Sequence, residues 1–173
     1  DRNIITPKSL FEKLNSILPD NTVLLTDVGN NQAWALKYYK VRRGGMFITP
    51  LGFASMGFAF PASLACKLAC PNSTVAVITG DGGFLMGIGE LETAVRYNIN
   101  VVVFVLNNSG LGEIKQPQMI NFSGRIIGSE RLPVDFKKIA EGFGAFGIRV
   151  EKLSEVESAF HDALSKGKPT VVD

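Results

Sequence analysis

Two short runs in this chain carry residue types that could work together: Gly80-Asp81-Gly82-Gly83 and Asn107-Asn108-Ser109-Gly110. Asp81 offers a hard carboxylate oxygen and Asn108 a neutral amide oxygen, the donor types that magnesium takes. Glycines 80, 82 and 83 let the backbone come close to a bulky anion. A magnesium ion needs about six oxygens in an octahedron. A bound diphosphate would complete what Asp81, the Asn108 amide, a backbone carbonyl near Gly110 and a water begin. Taken alone, Asp81 reads as a turn aspartate capping the next helix. Its pairing with Asn108 and the flanking glycines shifts that reading towards a ligand.

Both runs follow stretches that read as buried parallel strands. Residues 74–79 and 100–106 are near-continuous β-branched and apolar runs, as expected for strands covered on both faces. The runs therefore fall at the carboxyl edge of a sheet, where ligands of open α/β folds gather and helix amino termini present N–H groups. Around them, helix and strand signals alternate. Thr6 can cap a first helix, with Pro7 in its first turn and Leu10, Phe11, Leu14 and Leu18 at helical spacing. Strands are expected at 23–26, 46–49 and 147–150, and helices at 31–39, 58–69, 136–143 and 155–164, with Leu91, Ala94 and Val95 giving another helical face. Pro169-Thr170-Val171-Val172 reads as a last buried strand. The pattern is that of an α/β domain with an open, mostly parallel sheet of about six strands and helices on both faces. Residues 109–133 have weak periodicity and several glycines, and are expected to form a mobile loop or lid.

The two runs, with residues 83 to 106 between them, resemble the cofactor motif of the thiamine diphosphate enzymes of the 2-oxo acid decarboxylase and acetolactate synthase type. In that family a GDG triplet opens the motif and an NN pair closes it. Glu90-Leu91-Glu92-Thr93-Ala94-Val95-Arg96-Tyr97-Asn98, Asp27-Val28-Gly29-Asn30 and Ser55-Met56-Gly57-Phe58 are similar to the family as well, so nearly the whole chain takes part. The resemblance implies a thiamine diphosphate-binding fold in which Asp81 and Asn108 hold Mg2+ through their side chains and Gly110 through its carbonyl. It places Gly80, Gly82 and Gly83 around the diphosphate, with Asn30 and Asn31 beside the phosphates, and Leu111 and Gly112 in the loop that follows the metal. The backbone of Ala54, Ser55 and Met56 would meet the pyrimidine.

Met56 stands where the family puts a large apolar residue under the cofactor, bending its two rings into a V. That bend sets the aminopyrimidine nitrogen against the thiazolium C2, so the cofactor removes its own proton. By the same resemblance the activating glutamate comes from a pyrimidine-binding domain of the same or a partner subunit, and no segment here resembles that domain. The chain is then half of an active site, inactive alone, in a homodimer or homotetramer that decarboxylates a 2-oxo acid. Asp135-Phe136, the run 140–145 and Gly147-Ile148-Arg149-Val150 look most like acetolactate synthase, with pyruvate as donor. Pro117 stands where that enzyme usually has tryptophan, which keeps pyruvate oxidase and the benzoylformate and oxalyl-CoA decarboxylases in view. FAD, where such a parent protein uses it, sits mainly on a middle domain outside this chain. A non-catalytic cofactor-binding or dimerising subunit is the alternative of another class.

Other features read more plainly. Glu113, Lys115, Gln116 and Gln118 follow the metal loop within reach of a substrate, though charged residues in such loops are usually only solvated. His161, the only histidine, reads as a surface residue, and Cys66 and Cys70 as helical core packing without further ligands for a metal. Gly142-Phe143-Gly144-Ala145-Phe146-Gly147 spells a dinucleotide fingerprint, but it follows a helix and leads into a strand, the reverse of what that motif needs. A net charge of +2 gives no footprint for nucleic acid. No signal peptide or long apolar span is seen, so no membrane partner is expected and the domain is read as cytoplasmic. The chain opens at Asp1 without methionine and stops in an apolar run, so residues 1–173 are read as one domain excised from a longer multidomain chain.

Overall fold

Three apolar strands, β1 (Val23–Thr26), β3 (Val75–Gly80) and β4 (Val102–Leu106), lie side by side at the centre of a single parallel sheet. Residues 3–173 are described by the computed structural model. β2 (Met46–Ile48) flanks β1, while β6 (Thr170–Val172) and β5 (Phe146–Ile148) extend the other side, giving the order β2-β1-β3-β4-β6-β5. Every pairing is parallel, one step beyond the mostly parallel sheet expected.

Alternate residues of the central strands enter two cores. Val23, Leu25, Val75, Val77, Val103 and Val105 face one way, Leu24, Ala76, Ile78, Val102 and Phe104 the other. That is why these strands are apolar without alternation. The first core is closed by α3 (Ala59–Ala69), α4 (Asp81–Gly87), α5 (Glu90–Arg96) and α7 (Phe136–Gly142). In it Phe84 of α4 sits edge-on to Phe60 at 5.3 Å and tilted to Phe136 at 5.6 Å. The second core is closed by α1 (Pro7–Ile17), α2 (Asn30–Tyr38) and α8 (Val156–Lys166). Thr6 caps α1 by accepting the Ser9 amide at 3.1 Å, as the sequence suggests, and Gly167 at φ 58° ends α8.

Four expectations are corrected. The run after β3 is not a turn with Asp81 as the cap: Gly80 is the N-cap and Asp81 begins α4, so the glycines are packed inside its first turn. Residues 109–133 are not wholly irregular either, because α6 (Gly112–Asn121) occupies their first half. It has no buried residue and carries Pro117 inside, so it lacks the apolar stripe by which a helix is read. β5 also begins one residue early and ends at Ile148, since its register with β6 runs from Phe146↔Thr170 to Ile148↔Val172. Cys66 is half-buried against the first core, but Cys70 is the C-cap of α3 and is not part of that core, which corrects the shared packing expected. His161 is exposed, and Gly142 and Gly147 lie in α7 and β5. Among the described residues no helix is long and apolar enough to cross a membrane.

Candidate functional site

β3 and β4 end level with one another, Gly80 opposite Leu106, so the runs that follow them emerge together at the carboxyl edge. Asp81 is the first residue of α4 and is 3% exposed. Its Oδ2 accepts the Gly110 amide at 3.1 Å, which ties the two loops across the sheet edge. Burial pushes the Asp81 carboxyl above its ordinary range, opposed by the Gly82 amide, the Arg131 guanidinium and the Gly110 amide. Among the described residues no lysine, arginine or histidine forms an ion pair with it.

Asn108 is exposed at the mouth. A Cβ on Gly112 would lie 3.0 Å from Asn30 Nδ2 and 3.4 Å from Asn108 Nδ2, so the two amides converge on that glycine. Asn31, in contrast, is turned inward. Its Nδ2 donates to the Asp27 carbonyl at 2.8 Å and the Ile78 carbonyl at 3.3 Å, tying the ends of β1 and β3 together. Gly110 forms an antiparallel bridge with Glu130, flanked by Leu111 N–H to the Ser129 carbonyl at 2.8 Å and Arg131 N–H to the Ser109 carbonyl at 2.9 Å. Segment 127–131 is thereby laid against the run that follows β4. Gln118 holds it further, accepting from Ser129 Oγ at 2.8 Å and donating to the Ile127 carbonyl at 3.0 Å.

A cavity of about 460 Å3 opens between these loops. This is within the range of about 300–1,000 Å3 usual for small-ligand pockets. All the residues assigned to the cofactor from sequence line it except Ser55, which is exposed on the loop outside. Met56 is 36% exposed, and its Cε would be 3.4 Å from a Cβ on Gly82, while Leu111 Cδ2 would be 2.6 Å away. A side chain at position 82 would overlap Leu111 and touch Met56, so the glycine lets both lie against that backbone. Glu113 also lines the cavity, whereas Lys115 turns away to pair with Glu130 at 2.8 Å.

Two residues not assigned from sequence belong to this arrangement. Arg131 brings Nη1 to 3.3 Å from where a Gly82 Cβ would sit. Asp27 is 1% exposed just beyond β1 and accepts from the backbone N–H groups of Gly57 and Phe58, the two residues after Met56. The first lies in a segment without periodicity. The second lies within a quoted motif, but apart from the adjacent Val28 N–H its side-chain partners are 30 and more residues away.

A family model described as thiamine pyrophosphate enzyme, C-terminal TPP binding domain, matches residues 27–173. The chain is 40% identical to the acetolactate synthase large subunit of Buchnera aphidicola from Acyrthosiphon pisum, over 95% of this chain and 29% of that protein. It is 36% identical to the probable acetolactate synthase large subunit of Methanococcus aeolicus, over 98% of this chain and 29% of the relative. It is also 36% identical to a putative thiamine pyrophosphate-containing protein, YdaP, of Bacillus subtilis, over 98% and 29%. The chain thus spans about three-tenths of the length of these relatives.

Proposed function

Because the chain belongs to the thiamine pyrophosphate enzymes, as their C-terminal TPP-binding domain, we propose that its cavity holds thiamine diphosphate through a magnesium ion and forms half of an active site. The observation that carries this is Asp81: a carboxylate 3% exposed, at the edge of a glycine cradle, with the Arg131 guanidinium nearby but no ion-pair contact to it among the described residues. Burying an unpaired charge is costly, and a divalent cation supplies the missing balance.

The residues present fit that group. Asp81, the Asn108 amide and the Gly110 carbonyl are oxygen donors at one corner. The Gly110 amide is already spent on Asp81, which fixes the two against each other. Gly82 and Gly83 stand at the amino end of α4, where N–H groups point outward and favour an anion. When bound, thiamine diphosphate would supply a nucleophilic carbon for addition to a 2-oxo acid and a cationic thiazolium ring as the sink for the electron pair released with carbon dioxide. Met56 and Leu111 lie against Gly82 and would shield that face from water once the cofactor is in place.

The activating glutamate and the rest of the pocket come from a pyrimidine-binding domain of the same or a partner subunit, in a homodimer or homotetramer. Supporting this, Leu51 at 70% exposure, Phe53 at 100% and Ile114 at 52% present an apolar rim beside the cavity, the kind of surface another domain covers. The reaction is the acetolactate synthase type, with pyruvate as donor and a second 2-oxo acid as acceptor; the similarity to proteins of that name supports it. Acetolactate formation from pyruvate by the full-length protein tests it. The expected result is product that requires both thiamine diphosphate and magnesium; release of acetaldehyde or acetate without acetolactate contradicts this choice of reaction.

A further inference from the structure

We propose that Asp27 is a positioning residue for the cofactor's rings: its carboxylate clamps the backbone of Gly57 and Phe58 and so sets where Met56 stands in the cavity. The inference rests on the reading of that cavity as a thiamine diphosphate site.

Asp27 leaves the end of β1, its own N–H donating to the Ile78 carbonyl of β3 at 3.1 Å, so its backbone is anchored to the sheet. Its Oδ2 accepts the Gly57 N–H at 2.8 Å and the Thr79 hydroxyl at 3.3 Å. Its Oδ1 accepts the Phe58 N–H at 3.3 Å and the Val28 N–H at 3.1 Å. Both oxygens are thus committed, to four neutral donors from three separate parts of the chain. Gly83 lies against the same carboxylate so closely that a Cβ there would overlap Oδ2. One side chain therefore joins the end of β1, the segment carrying Met56 and the glycine cradle.

The segment it holds is not one that would hold itself. Ala54 has φ 50° and Gly57 φ 80°, and residues 51–56 are all exposed. A non-glycine residue in the left-handed region persists only where its surroundings over-determine it. Here the fixed point is the step immediately after Met56, where two successive N–H groups are gripped. Burying a carboxylate among neutral donors has a desolvation cost, and an apolar side chain in its place would leave the Gly57 and Phe58 N–H groups without their acceptor. The arrangement makes sense for placing backbone. Thiamine diphosphate needs that placement for its rings, whereas an inorganic diphosphate, which touches only the metal and glycine corner, does not.

The test uses the full-length protein with Asp27→Asn, which keeps the volume and one acceptor, and Asp27→Ala, which keeps neither. Calorimetry with magnesium and thiamine diphosphate should show affinity lower by on the order of tenfold for Asp27→Asn and more for Asp27→Ala, while for Asp27→Asn, whose unchanged volume still backs Gly83, affinity for magnesium and inorganic diphosphate stays within about twofold of native. In the cofactor-free protein, chymotryptic nicking after Phe53 should speed up in the same order, with the far-ultraviolet circular dichroism unchanged. Parallel weakening of both ligands, or nicking of a folded Asp27→Asn protein at the native rate, overturns the proposal. A native protein that binds neither ligand contradicts the reading of the cavity instead, and the nicking comparison still decides the clamp.

Discussion

Asp81 Oδ2 and the backbone N–H of Gly110, 29 residues apart, meet at 3.1 Å across the ends of β3 and β4. The bond orients the carboxylate without neutralising it, and burial holds its pKa up. Fold and site therefore pull in opposite directions at this residue: the fold is better off with a neutral acceptor, the site with a charge.

Asp81→Asn separates the two demands. Its amide oxygen can still accept from Gly110, so the thermal midpoint of the cofactor-free protein should be unchanged or raised. The native protein gains about 2.7 kcal/mol from ligand at 100 times its dissociation constant, and the variant should gain almost none of it. Thermal scans with and without magnesium and thiamine diphosphate check both halves.

Gly83 has no room for a side chain, because a Cβ would overlap the Asp27 carboxylate and lie 3.0 Å from Thr79 Oγ1. Gly83→Ala should cost on the order of 1–3 kcal/mol, typical of overpacking. For a chain of this size that is a fall in thermal midpoint of roughly 2–4 °C per kcal/mol. Scanning calorimetry of the variant measures it.

Met56 contrasts with Gly83. At 36% exposure it contributes little to the core, so Met56→Ala should cost less than the about 2 kcal/mol that truncating a buried methionine costs at least. Turnover should nonetheless fall by on the order of tenfold or more, if Met56 supports the cofactor's ring geometry as proposed. Steady-state kinetics of the full-length protein beside a denaturant curve would show the two effects apart.

Asp27 should leave a mark on stability as a function of pH. Burial raises its folded pKa above the ordinary 3.8, with the Gly57, Val28, Phe58 and Thr79 donors opposing. An acid with a raised folded pKa binds more protons folded than unfolded between the two values. The native protein therefore loses stability as pH climbs from about 4 through the folded pKa, and the loss is complete above it. Asp27→Asn lacks this change, so the stability difference between native and variant should move against the native protein between pH 4 and pH 7. Urea curves at the two pH values would show the opposite drift if the carboxylate were stabilised by its charge.

The sheet was legible from sequence because β3 and β4 are buried on both faces, which writes an unbroken apolar run. The glycine and asparagine runs were legible because ligand donors and small residues cluster at strand ends. α4 was not, since Asp81, Gly82 and Gly83 are poor helix formers, and this turn is held by Phe84 packing on Phe60 and Phe136. α6 was missed because it buries nothing. Asp27 and Arg131 were missed for a different reason: each acts on a residue far along the chain, and no local pattern records that. Asn31 shows the converse, a site residue by resemblance whose side chain ties the ends of β1 and β3.

The most direct test of the central claim is a calorimetric titration of the full-length protein with thiamine diphosphate, in magnesium and again in chelator, beside Asp81→Ala. Binding in magnesium that is lost both in chelator and in a folded Asp81→Ala protein is the expected result. Binding of equal strength with and without the metal, or unaffected by loss of the carboxylate, would contradict a metal-bridged diphosphate at Asp81.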